Sequence, residues 1–158
     1  MAPGILLDMS HIDDLANGIN YDCWANLLWV KCLRAKTDNA LDMSILGHIL
    51  SAQSIWLSRC RGASPTKMPE VEPTEETIQA LNAGWLEVIE QLKDDHLICY
   101  HRTTGEAMSS LFHEIVLHVI NHGTYHRGEL RGLCLARGDK DFPETDRILF
   151  TMLISKAV

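Results

Sequence analysis

Leu117-His118-Val119-Ile120-Asn121-His122-Gly123-Thr124-Tyr125-His126-Arg127-Gly128 is the stretch whose reading decides the fold. It lies within a periodic apolar run from about Ser109 to Arg137. His122 and His126 are four residues apart, about 400° of helical rotation, so both imidazoles share one face, one turn apart. His118 extends the series by another turn, and Ile115 and Leu133 continue the stripe. The rest of that face is apolar, which predicts that it points into a helical core. Buried imidazoles are costly unless each nitrogen is bonded or metallated. For a single histidine a hydrogen bond within the core is a sufficient account. For two or three on one stripe, a shared cation satisfies all of them at once.

Outward from this stretch, the chain reads as three more helices. A first runs from about Ser10 to Arg34, where Ile12, Leu15, Ile19, Cys23, Asn26 or Leu27, and Val30 recur at spacings of three and four. Asp13 and Asp14 suit the positive end of its dipole. A short link at Thr37 to Asn39 leads into a second, with Leu41, Ile45, His48, Ile49, Ala52 and Trp56 as its stripe and Gly62 as its stop. Three prolines between Ala63 and Pro73 predict a crossover loop. Thr74 then reads as the cap of a third helix, with Glu75 and Glu76 in its first turn and a stripe of Ile78, Leu81, Trp85, Val88 or Ile89, and Leu92. Leu97 to Thr104 is short and β-like or irregular, ended by Gly105. The fourth helix is capped by Gly138. Pro143 opens a short terminal segment with apolar residues that could pack on the bundle or on a second subunit. The predicted class is all-α: a four-helix bundle with one long crossover connection and a short C-terminal segment, in one domain spanning residues 1–158.

The net charge of −7, from 21 acidic and 14 basic side chains, argues against a nucleic-acid partner, which would require a basic surface. No run of about 18 apolar residues occurs, which argues against a membrane span. The N-terminus lacks the basic and apolar regions of a signal peptide. The five cysteines are odd in number and scattered, with no C-x-x-C pair, and four lie in helix-like segments as free thiols. A cytoplasmic location is expected.

His48 sits mid-stripe in the second helix and is the candidate third ligand. Packed helices lie about 8–10 Å apart, a gap that side chains from both can bridge to one ion. Three neutral imidazoles leave a coordination position open, as in catalytic sites. Bound water could then be acidified, or a thiol held as thiolate. His118 admits three roles: a fourth ligand, a group orienting His122, or a structural histidine one turn beyond the site. His113-Glu114 and His118 do not form a zincin motif, because five residues is about 500° and turns the two rings apart. His11, His96 and His101 are expected to be solvated. No Glu-x-x-His pair supports carboxylate di-metal chemistry, and no G-x-S-x-G element supports a nucleophilic triad.

Four stretches together carry a family likeness: Tyr21-Asp22-Cys23-Trp24-Ala25-Asn26; Ile45-Leu46-Gly47-His48-Ile49-Leu50 with Trp56 downstream; Asn121-His122-Gly123-Thr124-Tyr125-His126-Arg127-Gly128; and Pro143-Glu144-Thr145-Asp146. In that order they resemble the signatures of the DinB-like (DinB/YfiT-like) family across almost the whole chain. The third is the most specific, close to the family's N-H-x-x-x-H-R-G. The resemblance implies a four-helix bundle, often a homodimer, with a divalent metal held by His48, His122 and His126. Zinc or nickel is expected, and imidazoles alone do not choose between them. Relatives include thiol-dependent enzymes such as mycothiol-dependent maleylpyruvate isomerase and bacillithiol transferases. Glu129 stands where relatives commonly have Gln, either as a base behind His126 or as a surface group. Arg127 and Asn26 are expected to hold helices in register. The function expected is a divalent-metal-dependent enzyme that activates water or a low-molecular-weight thiol toward a small-molecule substrate, as a thiol S-transferase, isomerase or hydrolase. The alternative is a non-catalytic metal-binding or dimerisation protein in which the metal is structural.

Overall fold

Gly62 and Gly138, marked as helix stops, adopt left-handed backbone at φ +85° and +76°. The computed structural model describes residues 8–156, with side chains from residue 13 onward. Each of these glycines closes a helix with the same pair of bonds: Gly62 N–H to the Arg59 carbonyl and Ala63 N–H to Ser58, then Gly138 N–H to Leu135 and Asp139 N–H to Cys134. This is the Schellman closure, in which glycine avoids the Cβ penalty of the left-handed residue. The expectations for the first seven residues, and for the side chains of His11 and Ile12, lie outside the described residues.

The described chain is mostly helical: α1 (Asp8–Arg34), α2 (Ala40–Cys60), α3 (Glu75–Gln91), β1 (Leu97–His101), β2 (Ala107–Leu111), α4 (Phe112–Ala136) and α5 (Arg147–Ser155). Thr74 caps α3 as expected, its hydroxyl accepting from Thr77 N–H at 3.0 Å. Asn39 donates to the Leu33 carbonyl across the tight α1–α2 link. The helices α1 and α2 each pack against both α3 and α4, and against one another. Trp29, Trp85 and Phe112 are fully buried at the centre of the shared core.

Two expectations change. The chain is not purely helical, because β1 and β2 form an antiparallel hairpin with Leu97 opposite Leu111 and His101 opposite Ala107. Helix α4 therefore starts at Phe112 rather than near Ser109, which pairs with Cys99. The hairpin wins because β1 alternates: Ile98 and Tyr100 point into the core while their neighbours face out. Its partner strand has no such pattern of its own. The hairpin also fills a second long connection, between α3 and α4, beside the Pro-rich crossover from α2 to α3. The terminal segment is itself a helix, α5, whose N-terminus is capped by Asp146 accepting from Ile148 N–H at 3.3 Å.

Candidate metal centre

Helices α2 and α4 run antiparallel, as three pairings along them show. Asp42, in the first turn of α2, forms a two-pronged ion pair with Arg137 at the end of α4, at 2.7 and 3.1 Å. Midway, the His48 ring lies 4.8 Å from that of His126 and 5.1 Å from that of His122. Further along, Trp56 stands edge-on to His118 at 5.5 Å. Each step forward on α2 is matched by a step backward on α4, so the registration of His48 with the α4 histidines follows from the helix pairing.

His48, His122 and His126 form a three-histidine group that could hold a metal ion. Their ring nitrogens lie within 4.8 Å of one another. Tetrahedral zinc–nitrogen bonds of about 2.0–2.1 Å place donors about 3.3 Å apart, so under about 1 Å of movement per ring closes the group. His126 already has a defined orientation. Its Nδ1 lies 2.8 Å from the Glu129 carboxylate. A carboxylate can only accept, so Nδ1 carries a proton, which leaves Nε2 as the nitrogen available to a metal.

The histidines do not face the core, contrary to the inward phase expected of them. On α4 the buried line is Val116, Val119, Gly123, Arg127, Leu130 and Cys134. The histidine line is offset from it by one residue, about 100°. On α2 the buried line includes Asp42, Leu46, Ile49, Leu50 and Gln53, which leaves His48 and Leu41 exposed. Polar residues with buried partners hold core positions here, and a purely apolar stripe therefore mis-sets the helix phase. The cluster occupies the edge of the α2–α4 seam, with His122 and His126 half-buried and His48 and His118 exposed.

This placement disfavours protonation of His122, His48 and His118. Burial, then the neighbouring His126, His48 and His118, push the His122 pKa down to about 4. Desolvation likewise lowers His48, reinforced by His126 and opposed by Glu129, and it lowers His118. Neutral imidazole is the form that donates to a cation. His118 packs between Trp56 and His122, with its ring 5.7 Å from that of His122, outside the three-ring group. His113 is held apart by the Asp94 carbonyl and Glu114. His96 and His101 are exposed, as expected.

Beneath the histidines lies a buried network that sequence reasoning saw only in part. Arg127 Nη1 donates to Asp22 at 2.5 Å and to Asn26 at 2.8 Å, and Asn26 donates to Asp22 at 3.0 Å. Gln53 on α2 also donates to Asp22. The register role expected of Arg127 and Asn26 is thus visible, but its hub is Asp22, only 1% exposed. Asp22 was legible as part of the first-helix signature, whereas Gln53 carried no signal. Gly123 makes room for the network: a Cβ there would overlap Asp22 Oδ1 and come within 2.8 Å of Arg127 Nη1. Through Pro143-Glu144-Thr145-Asp146 the C-terminal arm is tied in as well, since Tyr21 donates its hydroxyl to the Thr145 carbonyl at 2.8 Å.

All five cysteines are free, and Cys99 is exposed on β1. Burial pushes the Cys60 thiol up to about 12 and Cys23 up to about 11, so neither is poised as a nucleophile. A cavity of about 630 Å³ is lined by Tyr21, Thr124, Arg131 and Thr145 on the opposite face of α4. It does not open onto the histidines. No helix among the described residues is long and apolar enough to cross a membrane.

The family model described as the DinB family matches residues 33–142, more than two thirds of the chain. The matched span contains His48, His122 and His126. The first-helix signature and the Pro143–Asp146 stretch fall outside it. No curated protein matches the chain.

Proposed function

The chain belongs to the DinB family, and on that premise we propose that it is a divalent-metal-dependent enzyme with His48, His122 and His126 as ligands. Zinc or nickel suits a set of three imidazoles. The observation that carries this reading is the convergence of three imidazole rings from two helices, one already oriented by Glu129. When bound, the ion supplies Lewis acidity to water or to a low-molecular-weight thiol. Glu129 fixes the His126 tautomer and aims Nε2 at the centre. His118 and Trp56 wall the approach along the seam. Transfer, isomerisation or hydrolysis of a small electrophile is the reaction class that follows.

The competing reading makes the metal a rivet between α2 and α4. The two helices are already joined without it, by Asp42–Arg137 and by Gln53 through Asp22 to Arg127. A further clamp at an exposed edge would add little, which favours the catalytic reading. We also read α1 to α4 as a four-helix bundle within one domain and the chain as a cytoplasmic homodimer. The dimer reading rests on α5, which exposes Ile148, Leu149, Met152 and Leu153 together.

The test is a screen of cellular thiols against model electrophiles, with the metal-loaded protein, the chelated protein and the His122→Ala variant. Metal-dependent thiol consumption that disappears in the last two supports the reading. A loaded protein that turns over neither thiols nor hydrolysable esters, and only melts earlier on chelation, would establish the structural alternative.

A further inference from the structure

One buried cation among the described residues has no counter-charge. Arg59, near the end of α2, is only 7% exposed. Its guanidinium lies over the rings of Trp56, at 4.5 Å, and Tyr100, at 4.8 Å, which meet each other edge to face. Its Nε is buried without a hydrogen-bond partner, and no carboxylate pairs with it among the described residues. The other buried arginine, Arg127, is neutralised by Asp22. Aromatic faces offset part of the desolvation of a guanidinium, but they offer no lone pairs to its five N–H donors.

The same side chain lines a cavity of about 250 Å³ together with Ile55, Trp56, Met68, Tyr100 and Thr103. Arg102 also lines it and adds a second cation, itself paired with Glu106. Ile55, Met68, Trp56 and Tyr100 give it apolar and aromatic walls, and the unpartnered Nε belongs to a planar fork of donors. That combination suits a carboxylate carried on an apolar body rather than a compact, highly hydrated anion. Trp56 connects this cavity to the histidines, because its ring touches both Tyr100 and His118. Along α2, His48 and Arg59 are eleven residues apart, about 16 Å of helix rise.

We propose that the Arg59 cavity is a carboxylate-binding subsite, and that the ligands of this protein are small organic acids anchored there. The site itself stands independently of the metal. Only the assignment of the acid as substrate, with its other end directed along the seam toward the three histidines, rests on the enzymatic reading above.

The test titrates metal-free and zinc-loaded protein with benzoate, benzamide and inorganic phosphate by calorimetry. Saturable benzoate binding is expected in both states, with benzamide about tenfold weaker or worse, the scale of a lost charge-assisted hydrogen bond. Arg59→Met should weaken benzoate by at least about tenfold, and Arg59→Lys, which keeps the charge but not the fork, should fall between. Metal content is measured on the same samples. Benzoate binding without any metal uptake would defeat the metal reading and leave the subsite standing. Equal affinity for benzoate and benzamide would overturn the subsite. So would phosphate binding as tightly as benzoate, an unchanged affinity in a folded Arg59→Met, or no saturable binding in the metal-free protein. The acid–amide comparison uses the unmutated chain, so it decides the matter even if Arg59→Met misfolds.

Discussion

Replacing Gly123 by alanine should destabilise this protein, although the same change elsewhere on α4 should stabilise it. In a helix interior alanine is favoured over glycine by about 1 kcal/mol. At Gly123 the new methyl would overlap Asp22 Oδ1 and approach Arg127 Nη1. Both atoms belong to a buried ion pair, so neither can swing into solvent. Overpacking of this kind costs about 1–3 kcal/mol, and separating a buried pair costs about 3–5 kcal/mol. After the helical gain, a net loss of about 2–4 kcal/mol is expected, roughly 5–15 °C in Tm for a chain of this size. At Gly128 and Gly132 an added methyl would meet nothing within 4 Å. Gly128→Ala and Gly132→Ala should therefore gain about 0.5–1 kcal/mol. Urea melts followed by circular dichroism at matched pH compare all three variants of one helix. A Gly123→Ala protein as stable as Gly132→Ala would refute the claim that a glycine is needed there to make room for the Asp22–Arg127 pair.

Acid should weaken the metal-free fold through the histidines. His122 titrates near 4 in the folded chain, against about 6.5 unfolded, so the unfolded state binds more protons between those values. Stability is then fully present above about pH 6.5 and is lost as pH falls toward 4. In stability–pH profiles His122→Gln should flatten this slope, and an identical slope in variant and parent would contradict the assignment. Glu129→Ala should lower metal affinity by about 10–100-fold, by releasing the His126 ring. Glu129→Gln, which keeps an acceptor, should lose less. Competition with a chromophoric chelator measures both, and an Ala variant equal to the parent would make Glu129 a surface group.

Local chemistry was the most legible part of the fold. Thr74, Gly62 and Gly138 each act through bonds within a few residues, so their roles could be read directly. The three histidines were legible because helical spacing and an antiparallel partner sufficed to unite them. What escaped depended on distant partners. Ala107 to Leu111 has no strand pattern and is extended because β1 supplies its hydrogen bonds. The phases of α2 and α4 were mis-set by about one residue because Asp42, Gln53 and Arg127 are buried by partners 30 or more positions away. Apolar periodicity reports burial only where burial is apolar. Arg59 was invisible for a related reason, since its aromatic neighbour Tyr100 arrives on the hairpin.

The central claim is that His48, His122 and His126 bind one divalent ion while His118 does not. Elemental analysis of the purified protein, alongside the four single His→Ala variants, tests it most directly. The account predicts about one ion per chain in the parent and in His118→Ala, with occupancy lost in the other three. Full occupancy persisting in His48→Ala, His122→Ala and His126→Ala, each shown to be folded, would contradict it.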